Sequence, residues 1–383
     1  MTVKPFEIAI PDAVLRDLNT RLAATRWPDA VEDAGWDYGT DIAYLQELTR
    51  YWRDEFDWRA QERQLNRFPH FRAEIDGLGI HFIHVEGRGQ APLPLILTHG
   101  WPSSFYEMHK VIGPLSDPVA HGGRAEDAFH VVVPSLPGYG FSDKPRRRGL
   151  DTQAIADLWA RLMVDELGYE RFGGQGGDWG AAVNAGLAAR HAERLVGLHY
   201  NMLAPPIDEA TLTVEQRAWW EEVQAYRARE WGYVHLQSTK PQSLAFGLND
   251  SPTGLAGWIV EKWRRWSDCE GDIESVYTRD ELLTNITLYW ATQTIGSSLR
   301  LYFETFGPLS GAPAYSGRDV PTGVAAFNEV NRPPRELCEP HFDLRRFTVM
   351  ERGGHFPAME NPQDLVEEIR AFFRPLRAAE ESR

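Results

Sequence analysis

One seven-residue stretch, Gly174-Gln175-Gly176-Gly177-Asp178-Trp179-Gly180, constrains this chain more than any other. It lies between a short apolar run and a helix-like run. Its pattern is small-x-nucleophile-x-small, the layout of the Gly-x-Ser-x-Gly elbow with Asp at the Ser position. Such a turn holds its central residue in a strained conformation, and side chains at the flanks would collide with the neighbouring helix and strand. Asp178 then sits at the C-terminal end of a strand and the N-terminus of a helix, which favours its ionised form. The simpler reading is a phosphate-binding glycine loop or a plain tight turn. A dinucleotide fingerprint needs Gly-x-Gly-x-x-Gly, and counting from Gly174 the last position is Trp179, so that pattern fails.

The surrounding elements suit an elbow. Residues 1–70 read as a helical segment packing on a core, with apolar residues on one face over 12–25 and 41–56. Arg26-Trp27-Pro28, Gly35 and Gly39 break the two runs. A strand pair is expected at 71–75 and 80–85. Residues 93–98 form an apolar run ending at His99-Gly100, as a buried parallel strand would, and 129–133 repeat it. A helix over 152–167, a strand over 171–175, a helix over 179–191 and a strand over 195–200 complete an alternation that predicts a mainly parallel sheet. The alternation stops near Pro205. Residues 206–305 read as a helical insertion holding half of the 14 Trp. Strands return at 320–327 and 346–351, with a closing helix at 363–373. The expected organisation is a core in two parts, 71–205 and 306–383, around that insertion.

Two further loops carry candidate chemistry. His99-Gly100-Trp101-Pro102 follows the 93–98 strand, where the backbone N–H of Trp101 would join that of Trp179 in an oxyanion hole. Gly and Pro are also ordinary at a strand-end turn. Arg352-Gly353-Gly354-His355-Phe356 follows the last apolar strand, and a His there fits the order nucleophile, acid, base. With 12 His in the chain, the position of His355 matters more than its identity. Glu329, just past the end of the 320–327 strand, is the best-placed carboxylate to orient the imidazole; Asp319 and Asp343 are rivals.

Composition narrows the partners. A net charge of −15 and a pI near 5.3 disfavour nucleic acid and anionic membrane. No apolar stretch approaches the ~20 residues of a membrane span, and residues 1–11 lack a signal-peptide core. Cys269 and Cys338 are too few for a disulfide framework or a metal cluster. His81 and His84, three apart on a strand, point to opposite faces, so no metal and no cofactor are expected. Only five of the 40 basic residues are Lys, a bias that reads as genomic base composition. The expectation is a cytoplasmic enzyme, monomer or homodimer.

With these residues in order, the chain resembles the α/β-hydrolase-fold epoxide hydrolases, in particular the branch of microsomal and juvenile-hormone epoxide hydrolases and their bacterial relatives. The resemblance spans nearly the whole chain. It runs from Pro5-Phe6 and Arg26-Trp27-Pro28 through FRAEIDGLGIHFIH at 71–84, HGWP, Pro137-Gly138-Tyr139-Gly140-Phe141-Ser142 and the GGDWG elbow. GYVHLQSTKPQSLAFGLNDSP at 232–252, Pro321-Thr322-Gly323 and GGHF follow in order. It implies an α/β-hydrolase fold with a helical cap and conversion of an epoxide, bulky or aromatic, to a vicinal diol. Asp178 would attack carbon to give an alkyl ester, and His355 with Glu329 would activate water against it. The resemblance also implies two cap tyrosines as acids toward the epoxide oxygen, matched by motif to Tyr233 and Tyr302. Trp219, Trp220, Trp231, Trp258 and Trp290 become candidate walls of the pocket.

Two other functions use the same scaffold. A haloalkane dehalogenase shares the fold, the Asp nucleophile and the base–acid pair but needs halide-binding donors in place of acid tyrosines. A catalytically silent binding protein would not need Asp178, Glu329 and His355 intact.

Overall fold

The computed structural model describes residues 3–308 and 317–381, with side chains described up to residue 377. The chain opens on β1 (Lys4–Phe6), then α1 (Asp12–Ala23), α2 (Ile42–Asp54) and α3 (Trp58–Leu65). Strands β2 (His70–Ile75), β3 (Leu78–Val85) and β4 (Leu93–Thr98) follow, then α4 (His109–Ser116) and β5 (Phe129–Pro134). Next come α5 (Thr152–Arg161), β6 (Phe172–Gly176), α6 (Trp179–Arg190) and β7 (Leu195–Tyr200). Six helices then run without a strand: α7 (Val214–Glu230), α8 (Gly232–Thr239), α9 (Pro241–Asp250), α10 (Pro252–Trp266), α11 (Arg279–Thr292) and α12 (Ile295–Phe306). The chain returns to the sheet with β8 (Gly317–Ala326), α13 (Arg335–Cys338) and β9 (Phe342–Val349), and ends on α14 (Pro357–Glu360) and α15 (Pro362–Glu381).

Among the described residues the strands make one sheet in the order β1-β2-β3-β5-β4-β6-β7-β8-β9. Pairing is antiparallel from β1 through β2 and β3 to β5, and parallel beyond. β4 and β5 are nearly continuous runs of buried apolar residues, as strands covered on both faces must be. The β4–β6 register sets Leu97 against Gln175 and Thr98 against Gly176. Two strands therefore end side by side, and the loops that follow them, carrying Trp101 and Asp178, start as neighbours.

The N-terminal segment differs from its reading in two respects. Residues 4–6 form a strand, paired with 70–72, where helix was expected; three residues are too few to carry a period. Its helices pack on the helical insertion, whereas packing on the sheet core was expected. Trp52 donates its indole N–H to Thr287 on α11 at 3.0 Å, Tyr51 donates to Asp280 at 2.9 Å, and Thr40 donates to the Gly257 carbonyl on α10 at 2.6 Å. Only β1 joins the sheet. The helix expected over 152–167 is α-helical to Arg161 and ends in a π turn at 162–166.

Candidate active site

Asp178 occupies the sharp turn between β6 and α6 with φ +47° and ψ −123°, a backbone region that costs a non-glycine residue of order 1–3 kcal/mol. Its neighbours leave no room for alternatives. A Cβ on Gly180 would overlap the Thr98 carbonyl, and one on Gly100 would sit 2.7 Å from Cγ of Asp178. In return the carboxylate is held tightly. Oδ1 accepts the backbone N–H of Trp101 at 2.9 Å and that of Trp179 at 2.7 Å. The two donors expected of an oxyanion hole thus converge on one carboxylate oxygen, and Oδ2 is left to face His355.

Oδ2 lies 3.5 Å from Nε2 of His355, and Nδ1 of His355 lies 3.3 Å from Oε1 of Glu329. The loops after β8 and β9 are tied together by Asn328 N–H to the Gly353 carbonyl at 2.9 Å. Asp319 is exposed on β8 and Asp343 pairs with Arg345, so neither rival takes the place of Glu329. Burial works against a charge on His355. The Glu329 carboxylate, and hydrogen bonding and charge from Asp178, outweigh it and hold the imidazole well above its usual value.

Three carboxylates outside the sequence reading shape this arrangement. Glu360 at the end of α14 is half-buried and accepts three backbone N–H bonds at 2.8 Å, from Gly354 and Phe356 on either side of His355 and from Asp268 after α10. Burial raises its pKa against the lowering effect of those bonds. Asp268 in turn accepts the Gly353 N–H at 3.0 Å, and His355 N–H reaches the Trp266 carbonyl at 2.9 Å. Glu107 lies behind the Trp101 loop, bonded to the Ser103 hydroxyl and pushed up to about 7 chiefly by burial. The sequence signal for Glu360 was a lone Glu five residues past His355, which no spacing rule distinguishes from an exposed first-turn carboxylate.

Side chains of the insertion close over Asp178. Tyr233 on α8 stacks on Trp101 at 5.4 Å between centroids, with ring planes 9° apart. Tyr302 on α12 meets Trp101, Trp179 and Tyr233 edge-on at 5.7, 4.5 and 5.9 Å. Both phenols are raised well above the usual value, first by burial and then by neighbouring charge and phenols, Asp178 among them. α11 braces the Trp101 loop from behind: Tyr289 donates to the Ser103 carbonyl at 2.7 Å and Asn285 to that of Pro102 at 2.9 Å.

A cavity of about 170 Å³ opens onto Asp178, Tyr233, Glu329 and His355, walled by Tyr226, Trp231 and Trp266. Of the five tryptophans expected there, Trp231 alone lines it; Trp266 does so unforeseen. Trp258 bonds to Gln237 on α8, and Trp290 is buried under Arg21 of α1. Trp219 and Trp220 stand on α7, with Trp220 bonded to Glu209 and capped by Arg227. Trp count marked the insertion without marking the pocket. Larger cavities, about 370 Å³ at 145–150 and about 450 Å³ at 25–45, bring no candidate acid–base set together. Among the described residues no cluster of His, Cys, Asp and Glu could hold a metal, and no helix is long and apolar enough to cross a membrane.

Residues 3–108 match the family model described as the epoxide hydrolase N terminus, and 94–248 match that of the alpha/beta hydrolase fold. A Stigmatella aurantiaca protein assigned as an epoxide hydrolase is 45% identical over 98% of this chain and 86% of its own length. Epoxide hydrolase 1 of Sus scrofa is 38% identical over 97% and 88% respectively. The crystal structure of juvenile hormone epoxide hydrolase from Bombyx mori superposes with a TM-score of 0.91, at 31% identity over 99% of this chain and 95% of that one.

Proposed function

The chain belongs to the epoxide hydrolases, which convert an epoxide and water to a vicinal diol, and from that premise we propose that Asp178 carries the reaction as a covalent nucleophile. The supporting observation is the split environment of its carboxylate: Oδ1 is held by two N–H donors while Oδ2 faces His355 and the cavity. Oδ2 attacks an epoxide carbon and the ring C–O bond breaks. The departing oxygen takes a proton from Tyr233 or Tyr302, and an alkyl ester remains on Asp178. Water activated by His355 then adds to the ester carbonyl carbon. The negative charge develops on Oδ1, already seated between Trp101 and Trp179.

The same geometry times the base. Before attack, the Asp178 charge helps keep His355 protonated. Esterification removes that charge, so the imidazole pKa falls; His355 gives its proton to the phenolate left by ring opening and becomes a base when one is needed. Glu329, 3.3 Å from Nδ1, orients the imidazole.

The cavity's volume of about 170 Å³, with Tyr226, Trp231, Tyr233 and Trp266 among its walls, supports a small epoxide with an aromatic ring against those rings. A net charge of −15 disfavours an anionic partner; the reading is of a free enzyme, monomer or homodimer, acting in the cytoplasm on a small epoxide.

A single turnover with styrene oxide in H₂¹⁸O tests the ester. With enzyme in excess, the label enters the peptide containing Asp178 and the first diol formed is unlabelled. Label in the diol at the first turnover would mean that water attacks the epoxide directly.

A further inference from the structure

Lysine is scarce in this chain, at five residues, and four of the five are exposed or half-buried. Lys262, on α10, is the exception, with 8% of its surface exposed. Its ammonium lies 5.1 Å from the centroid of the Tyr233 ring and 5.5 Å from that of Trp258. Its carboxylate partner is the adjacent Glu261, which is more open to solvent. A buried ammonium has a substantial desolvation cost, and an arginine-rich chain had an alternative cation to hand. A structural role alone gives no reason to set that charge over the ring of a phenol beside Asp178.

The chemistry supplies one. When Tyr233 gives its proton to the epoxide oxygen, negative charge develops on the phenol and spreads into its ring. Burial opposes that charge, and so do Asp178, Tyr226 and Glu261, while the phenol of Tyr302 helps. Trp101 and Trp266 pack on the same ring and bring no charge. Lys262 is the cation that the structure sets over the ring of Tyr233. An ammonium over a ring face is attracted to its electron density, and more strongly as the ring becomes anionic in a site that excludes water.

We propose that Lys262 is a positioning residue for the acid step, holding its ammonium over Tyr233 so that the phenol donates its proton more readily as the epoxide ring opens. The inference rests on the reading of Tyr233 as a proton donor. In the step, the electrons of the ring C–O bond pass to oxygen, which takes the Tyr233 proton as the Asp178 Oδ2–C bond forms. Once the ester has formed, the His355 imidazolium returns a proton to the phenolate; His355 then regains one from the attacking water, the other water proton leaves with the diol, and the cycle closes. Lys262 keeps its own protons throughout.

The test separates alkylation from ester hydrolysis by stopped-flow tryptophan fluorescence, using a series of ring-substituted styrene oxides. K262M is expected to slow alkylation about tenfold and to leave hydrolysis within about twofold. It should also steepen the dependence of alkylation on electron withdrawal, because a weaker acid leaves more charge on oxygen. K262R should recover most of the rate. E261Q, at a more open position, removes a carboxylate that opposes charge on the Tyr233 ring and frees Lys262, so it should flatten that dependence. K262Q, which keeps a polar side chain without the charge and should act as K262M does, keeps the test decisive if K262M does not fold. Wild-type alkylation in K262M, or an unchanged slope in E261Q, overturns the proposal. Y233F separates the two readings. If Y233F alkylates at the wild-type rate, Tyr233 is not the acid. If Y233F is slow but the Lys262 and Glu261 variants are not altered, only the role of Lys262 falls.

Discussion

The strand-end loops and the helical insertion both surround Asp178, but they are held in place differently. Around β4, β6, β8 and β9 the proposed reacting groups are fixed by backbone. Two N–H groups grip Oδ1, and three more bind Glu360 beside His355. In the insertion, Tyr233, Tyr302 and Trp266 are held by ring against ring. The insertion itself divides. α11 buries nine consecutive residues, Leu282–Trp290, while α7 buries only Val223. A backbone-fixed site tolerates little change, whereas a ring-packed wall can be altered gradually.

The largest expected effect lies on the backbone-fixed side. H355Q should still form the alkyl ester but release diol at least ~10²-fold more slowly, in the range of lost general-base catalysis. Intact mass spectrometry after mixing with styrene oxide would then show enzyme plus substrate mass accumulating. Failure of the adduct to build up would place His355 before the ester.

Next comes Glu360. In E360Q one oxygen keeps its acceptor role, but the amide N–H₂ faces donors. Leaving buried N–H groups unpaired costs about 1–3 kcal/mol each. Thermal unfolding should fall by several degrees, and ester hydrolysis should slow more than alkylation, because His355 moves and Asp178 does not. Equal slowing of both steps would mean that Glu360 supports the fold in general.

A pH measurement isolates the charge coupling. His355 is raised when folded, so it contributes stability fully below about 6.5, and that contribution is lost as pH rises through the folded value. D178N removes one of the charges that raise it. The His355 titration, followed by NMR, should move downward, and the loss of stability, which still begins near about 6.5, should be smaller and complete at lower pH. An unmoved titration would leave Glu329 as the sole cause.

The smallest effects separate the two parts of the insertion. W266A should reduce kcat/KM for styrene oxide about tenfold or more, as it removes a wall shared with His355. W220A, on exposed α7, should change it by less than about twofold. Comparable losses would bring α7 over the substrate during turnover.

Much of the sheet and its loops was legible because the signals are local. β4 and β7 fall on their expected residues, and the elbow carries its own glycines. Glu329 and His355 were findable from position after a strand. Glu360 and Lys262 were not. Each is one charged residue in an ordinary helical stretch, and its meaning lies in which distant atoms it meets.

The turn between β6 and α6 was legible in sequence: only small residues fit where α6 crosses Thr98, so Gly180 marks the turn and Asp178, the proposed nucleophile, stands at its centre. Tertiary structure decided which tryptophans wall the cavity, where the N-terminal helices dock, and which cation lies over Tyr233. Those are contacts between residues tens to hundreds of positions apart. They depend on how whole helices pack, which no period or spacing along the chain records.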